Sequence, residues 1–139
     1  MNDNDRSRFS AAYSVTDSGC WQWQRPLDSG YGRFWVDGTT ALAHRVSYEI
    51  HNGPVPEGLQ IDHLCRNRGC VNPAHLEAVT LSENVLRGTG ISAQNARKFI
   101  CLNGHELTGD NVYIRKSGAR VCRPCAIQRT REWRKKVSA

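Results

Sequence analysis

The sequence predicts a small α+β fold, with short strands and two short helices around a loop-rich centre and a basic helix at the end. Three observations predict it. Only 39% of the 139 residues are apolar, so the core must be thin. Strand-like alternation comes in short runs, and helical periodicity is confined to a few brief stretches. All six cysteines are near polar, Gly-, Asn- or Arg-containing segments, where they serve as staples better than as core thiols.

Length and composition set the outer bounds. A chain of 139 residues is one domain, or one domain with a small appendage. It opens on MNDNDRSRFS, polar and mixed in charge, and no apolar run approaches a membrane span. The expectation is a cytoplasmic protein without a membrane partner. There disulfides are disfavoured and metal binding is the default reading of cysteine. Charge is unevenly placed. Residues 1–114 hold 10 Lys and Arg against 12 Asp and Glu, whereas residues 115–139 hold 9 against Glu132 alone. A basic tail is the electrostatic footprint of a nucleic-acid binder, or a solvated tail that keeps the chain soluble.

Taken in order, residues 1–18 have little periodicity and are expected to be flexible, with a short turn of helix near Phe9 to Tyr13. Cys20-Trp21-Gln22-Trp23-Gln24 alternates and reads as a strand with one buried face. Tyr31 to Val36 is a strand, Asp37-Gly38 a tight turn, and Thr39 to Ala43 the return strand. Trp21, Trp23, Phe34 and Trp35 are expected in the core rather than as platforms for stacking bases. His44 to His51 suits a short helix stopped by Asn52-Gly53-Pro54. His51 is expected at the surface, and His44 to pack or cap near the helix start.

Leu59 to Leu64 is a short strand, and Cys65 to Pro73 must be loop. His75 to Val79 is the next strand. Ser82 is the expected N-cap of a helix that carries Asn84 and stops at Gly88. Residues 91–99 read as a linker with some helical propensity. Residues 100–139 read as a second cysteine-histidine unit and a basic helix from about Ala126 to Val137. The domain expectation is therefore 1–18 flexible, 19–90 the main domain, 91–99 linker and 100–139 appendage.

Zinc wants four soft or borderline ligands in a tetrahedron. Cys101, His105, Cys122 and Cys125 give C-x3-H-x16-C-x2-C, a complete set. Cys65, Cys70 and His75 give three ligands around a Gly/Asn/Pro loop. Cys20 is the one cysteine left, and assigning it here gives two Cys3His sites with no cysteine over. Two structural zinc ions are expected, each contributing on the order of 10 kcal/mol to folding.

The chemistry lies in what remains. His63 follows Asp62 at a strand end, two residues before Cys65, so the metal would fix its backbone. Asn84 lies in the helix after the loop. A histidine on a strand and an asparagine on the following helix can place a base and a ligand for a hard cation on opposite sides of one phosphate.

At these residues the sequence resembles the HNH nucleases, also called His-Me finger or ββα-metal nucleases. It is similar to the small phage-type members and to zinc-stapled, intron-encoded homing nucleases, which share a His-Leu-Cys-x4-Cys-x4-His pattern followed by an Asn. The likeness covers roughly residues 20–88. It implies a zinc-stabilised ββα-metal core and a DNA endonuclease. His63 would be the general base, with Asn84 and Asp62 holding one catalytic Mg2+ or another divalent cation. Neutral His63 would take a proton from water, and attack at phosphorus would leave 5′-phosphate and 3′-hydroxyl ends. Activity would fall below the His63 pKa. The family's middle asparagine, which orients the histidine, would be Asn67 or Asn72. His44-Arg45 resembles a recurrent His-Arg pair of phage-type members.

For DNA, taken as double-stranded, Arg33, Arg45, Arg66 and Arg68 are candidate phosphate contacts near the cut. Arg123, Arg129, Arg131, Arg134 and Lys135 are candidates along the tail, where backbone contacts position without specifying sequence. The hairpin from Tyr31 is either a ribbon for the major groove or an ordinary solvent-facing sheet. Cutting both strands with one site per chain would call for a homodimer, and a phage partner protein setting the target is a further expectation. The location would be the host cytoplasm if the chain is phage-encoded. The reading from another class is a non-catalytic zinc protein that binds DNA as a regulator.

Overall fold

A computed structural model describes residues 1–138, and the chain divides into two compact units, Met1–Asn84 and Val85–Ala139. The α+β expectation holds.

The first unit opens with α1 (Asp3–Ser10), whose N-cap Asn2 accepts a hydrogen bond from the Asp5 backbone N–H at 2.8 Å. Phe9 on α1 is buried, and its ring is 5.2 Å from Phe34 and 5.4 Å from Trp23. Residues 1–18 are therefore not loose as the sequence suggested. Buried Phe9, worth about 1.5–3 kcal/mol, and buried Ala12 hold the segment to the core despite its polar composition. β1 (Tyr13–Val15) pairs antiparallel with β2 (Trp21–Trp23).

β3 (Leu27–Asp28), β4 (Tyr31–Val36) and β5 (Thr39–Leu42) form a three-stranded antiparallel sheet in that order. Along β4, Gly32, Phe34 and Val36 point inward while Arg33 and Trp35 point out. Trp35 is 56% exposed, so it is not a core residue; strand alternation decides its side, and its hydrophobicity does not. Gly32 is required by close packing, because a Cβ there would lie 2.7 Å from the Trp23 ring. α2 (Ala43–Asn52) follows, burying Ala43, His44, Val46 and Ser47. Phe9, Ala12, Trp23, Phe34, Val36, Ala43, Val46 and Val71 make the core.

β6 (Leu59–His63) pairs antiparallel with β7 (Leu76–Thr80), placing His63 opposite Leu76 and Asp62 opposite Glu77. A single 3-10 turn, Pro73–His75, leads into β7 and is capped by the Asn72 side chain. α3 (Leu81–Arg87) begins two residues earlier than a Ser82 cap would allow. Thr80 and Glu83 form a reciprocal capping box instead. The Thr80 hydroxyl accepts from the Glu83 N–H at 3.2 Å, and the Glu83 carboxylate accepts from the Thr80 N–H at 3.0 Å.

The second unit holds α4 (Ile91–Arg97), where a linker was expected, then β8 (Val112–Ile114), β9 (Arg120–Cys122) and α5 (Arg123–Val137). β8 and β9 pair antiparallel. The Arg120 guanidinium donates to the carbonyls of Asn95 and Lys98, tying α4 to this hairpin. α5 starts at Arg123, three residues before the expected Ala126, because Pro124 suits a first helical turn.

Candidate active site and metal centres

Backbone pairing explains how residue 20 reaches a loop 45 residues away. The Trp23 N–H donates to the Gly69 carbonyl at 2.9 Å, and the Val71 N–H donates to the Trp21 carbonyl at 2.8 Å. The loop that carries Cys65 and Cys70 thus adds to the edge of β2. Two side-chain bonds lock it: Asn67 Nδ2 to Gln22 Oε1 at 2.7 Å, and Asn72 Nδ2 to the Gly19 carbonyl at 2.7 Å.

The result gathers one ligand atom each from Cys20, Cys65, Cys70 and His75 within 4.8 Å of one another. His75 Nδ1 is 3.6 Å from the sulfurs of both Cys20 and Cys70. In the second unit Cys101, His105, Cys122 and Cys125 converge in the same way. There His105 Nδ1 lies 3.4, 3.6 and 3.3 Å from Cys101, Cys122 and Cys125, and Cys101 and Cys125 sulfurs are 3.7 Å apart. A tetrahedral zinc with Zn–S of about 2.3 Å and Zn–N of about 2.05 Å needs S···N edges near 3.6 Å and S···S edges near 3.8 Å. Both clusters fit and could each hold a zinc ion. All six cysteines are free thiols. Burial pushes the Cys20 and Cys101 thiols up, but hydrogen bonds outweigh it and bring them down to about 7 and about 6. Those bonds come chiefly from Ser18 and His75 at Cys20, and from the Asn103 and His105 backbone at Cys101.

His63 ends β6 and is buried. Its Nε2 is 3.1 Å from the Cys70 backbone carbonyl. A carbonyl can only accept, so Nε2 carries the proton and Nδ1 is the basic atom of the neutral ring. The metal loop thus fixes both the backbone and the tautomer of this histidine. Neither Asn67 nor Asn72 performs that task. Asn67 bonds Gln22 and the Gly69 N–H, while Asn72 bonds Gly19 and caps the 3-10 turn. Burial lowers the His63 pKa, against the opposing pull of the Cys70 carbonyl and Asp62.

Alternation along β6 puts Gln60 and Asp62 on one face and Ile61 and His63 on the other. Asn84 Nδ2 on α3 donates to Gln60 Oε1 at 3.2 Å, so Asn84 lies against the Asp62 face. That bond uses the amide N–H and leaves Oδ1, the atom a hard cation takes. Asp62 is buried and held by Arg66 Nη1, 2.8 and 3.1 Å from its two oxygens. Arg66 makes this reach from a left-handed backbone, φ 59°.

The remaining basic candidates are dispersed. Arg33 pairs with Asp28 at 2.6 Å, and Arg45 is exposed on α2. Arg68 lies 5.3 Å over the Tyr31 ring. Arg123 reaches the Val112 carbonyl and lies 5.6 Å over Tyr113. Arg129, Arg131, Arg134 and Lys135 are exposed along α5. His51 is at the surface as expected, with Nδ1 2.8 Å from the Ser47 carbonyl.

The sequence left one neighbour of His63 unplaced and missed another. The His44 ring centroid is 4.7 Å from that of His63, and Tyr31 is 5.2 Å from His44 and 6.0 Å from His63. Burial, helped by the charges of His63 and Arg45, lowers the His44 pKa to about 3, so the ring is neutral. No local pattern joins these three residues; only the pairing of β4, α2 and β6 across the core does.

Known proteins agree with this geometry. The HNH endonuclease family matches residues 41–86. Protein 7.7 of Escherichia phage T7 is 42% identical over 66 residues, 47% of this chain and 51% of that protein. Protein 2.8 of the same phage is 37% identical over 82 residues, 57% of this chain and 55% of that protein. The uncharacterized gene 5.3 protein of Enterobacteria phage T3 is 43% identical over 46 residues, 33% of this chain and 46% of that protein. The chain spans about half the length of the curated relatives it matches. No solved structure matches it at comparable significance. Residues 41–86, which hold α2, β6, the metal-ligand loop, β7 and most of α3, thus match the HNH endonuclease family.

Proposed function

We propose that the chain is a DNA endonuclease that hydrolyses phosphodiester bonds, with His63 as general base and a divalent cation held by Asn84 and Asp62. The observation that carries this reading is the His63 Nε2 bond to the Cys70 carbonyl. It leaves Nδ1 free to take a proton from water, and burial keeps the ring neutral at physiological pH. The cation, Mg2+ or a similar ion, supplies Lewis-acid polarisation of the phosphate and charge relief at the leaving oxygen. Asn84 Oδ1 suits such an ion as it stands. Asp62 would share its carboxylate between the ion and Arg66, and a DNA phosphate is a competing partner for that arginine. Ends of the 5′-phosphate, 3′-hydroxyl type follow from attack opposite the 3′ oxygen.

We assign the chemistry to residues 19–90 and backbone binding to residues 100–139, whose α5 presents the basic side chains, with 91–99 joining them. Two structural zinc ions, double-stranded DNA as substrate and a role in the host cytoplasm complete the reading; the phage relatives support the last of these. Target choice would come from a homodimer or a phage partner protein.

The test is plasmid cleavage with Mg2+ or Mn2+, native chain against His63→Ala. Loss of on the order of a hundredfold or more in rate, with DNA binding intact, is expected. Binding of DNA by both proteins with nicking by neither would sink the enzyme and leave a non-catalytic DNA-binding zinc protein.

A further inference from the structure

His63 is tethered at one ring atom. The Cys70 carbonyl fixes Nε2, but the torsion that tilts an imidazole is broad and soft, so this bond alone does not set the ring plane. Something must pack against the faces. His44 does so at 4.7 Å between centroids and 58° between planes, and Tyr31 at 6.0 Å and 48°. With the His44–Tyr31 pair at 5.2 Å, three rings form one cluster within the range where aromatic contacts are favourable.

His44 is well placed to be the rigid member. It is 4% exposed and sits in the first turn of α2. α2 is anchored by Ala43 and Val46 in the core and by the Ser47 hydroxyl, which donates to the Val71 carbonyl of the metal loop. Arg68 from that loop closes over Tyr31. The choice of histidine is costly. His44 Nδ1 is buried without a hydrogen-bond partner, a penalty an apolar ring would avoid. Burial keeps His44 uncharged, so it would not repel His63 when that ring gains a proton.

We propose that His44 is a positioning residue for the general base: its ring, with Tyr31, clamps His63 so that Nδ1 stays aimed while Nε2 is held by Cys70. The proposal rests on the nuclease reading of His63, and its test separates the two.

The zinc-loaded full chain is labelled with 15N, and the His63 tautomer is read from long-range 1H–15N spectra. In parallel, kcat and KM are measured for plasmid nicking. Native His63 is expected to show a single Nε2–H tautomer. His44→Ala should give a mixed or exchange-broadened His63 signal and lower kcat by on the order of tenfold to a hundredfold, with KM for DNA within about twofold. His44→Phe should restore the single tautomer and most of kcat. His44→Leu, which fills the volume without a flat ring, replaces the alanine variant if that one loses zinc, and it should behave as alanine does. An unchanged His63 signal in both truncations overturns the proposal. So does a phenylalanine variant as slow as alanine, or a raised KM at unchanged kcat, which would make His44 a substrate contact. If the native chain cuts nothing but its His63 tautomer still responds to His44, the nuclease reading fails and the positioning role stands.

Discussion

The two cysteine-histidine clusters have the same ligand set and opposite surroundings. The first joins a unit with its own aromatic core, and a β-ladder, two asparagine clamps and the Ser47 bond all hold its loop. Around the second, Ala93 and Cys122 are the buried residues among those described in Val85–Ala139. Leu102, Ile91 and Phe99 are exposed there, at 100%, 77% and 74%. A metal bound at the first would therefore refine a fold, and one bound at the second would have to create one. The charge contrast runs in parallel: the basic excess lies in residues 115–139, and the proposed chemistry lies where the balance is slightly acidic.

The largest effect that could break this contrast is loss of a metal ligand. Cys122→Ser should unfold the second unit outright, because a zinc contribution on the order of 10 kcal/mol has no apolar core behind it. Amide exchange should show residues 85–138 unprotected while residues 1–84 keep their protection. Cys20→Ser should cost several kcal/mol yet leave the Trp23–Phe34 core protected, lowering Tm and removing one of about two zinc ions per chain. If both variants behave alike, the two sites do not differ in what they hold together.

Next in size is the electrostatic division of labour. Replacing Arg129, Arg131, Arg134 and Lys135 by Ala should lower the salt slope of DNA binding by about one unit for each phosphate no longer neutralised, with kcat at saturating DNA unchanged. A drop in kcat of the same size would place α5 in the chemistry and erase the division.

The smallest effect concerns acid. His44, at about 3 in the fold against an ordinary 6.5, and His63, also lowered, bind protons more readily when unfolded. Their contribution to stability is complete above about pH 6.5 and is lost as pH falls toward their folded values, by at most about 1.4 kcal/mol per pH unit for His44. His44→Phe should therefore flatten the fall in stability between about pH 6.5 and 5, measured by denaturant unfolding. Identical curves would mean that His44 is hydrated in the fold. Cleavage should also fall with acid, its midpoint below about 6.5, since protonated His63 cannot accept a proton.

What was legible follows from how far apart the deciding residues lie. The spacing of Cys65, Cys70 and His75 is local chemistry, and counting cysteines recruited Cys20 before any contact was visible. The strands at 59–63 and 76–80 and the helix at 81–87 followed from short-range pattern and turn residues. α1 did not, because its anchors, buried Phe9 and Asp5 and the reach of Arg8 to Trp35 and Phe34, make no apolar period. Ser82 was preferred as the cap because it is a good capping residue, yet Thr80 with Glu83 satisfies two amides at once. Trp35 was misplaced because hydrophobicity says that a side chain prefers burial, whereas the register of β4 says which way it points.

The sequence by itself determined the inventory: two four-ligand sets, a histidine held beside one of them, an asparagine one helix later and a basic end. Each of these is a matter of residue type and covalent spacing. Tertiary structure alone decided what the inventory does at close range. It put the Cys70 carbonyl, not an asparagine, on His63, engaged Asp62 with Arg66, and brought His44 and Tyr31 against the base. Those relations depend on the packing of β4, α2 and β6 around one core. The energy of that packing is spread over many non-local interactions that no single stretch of sequence contains.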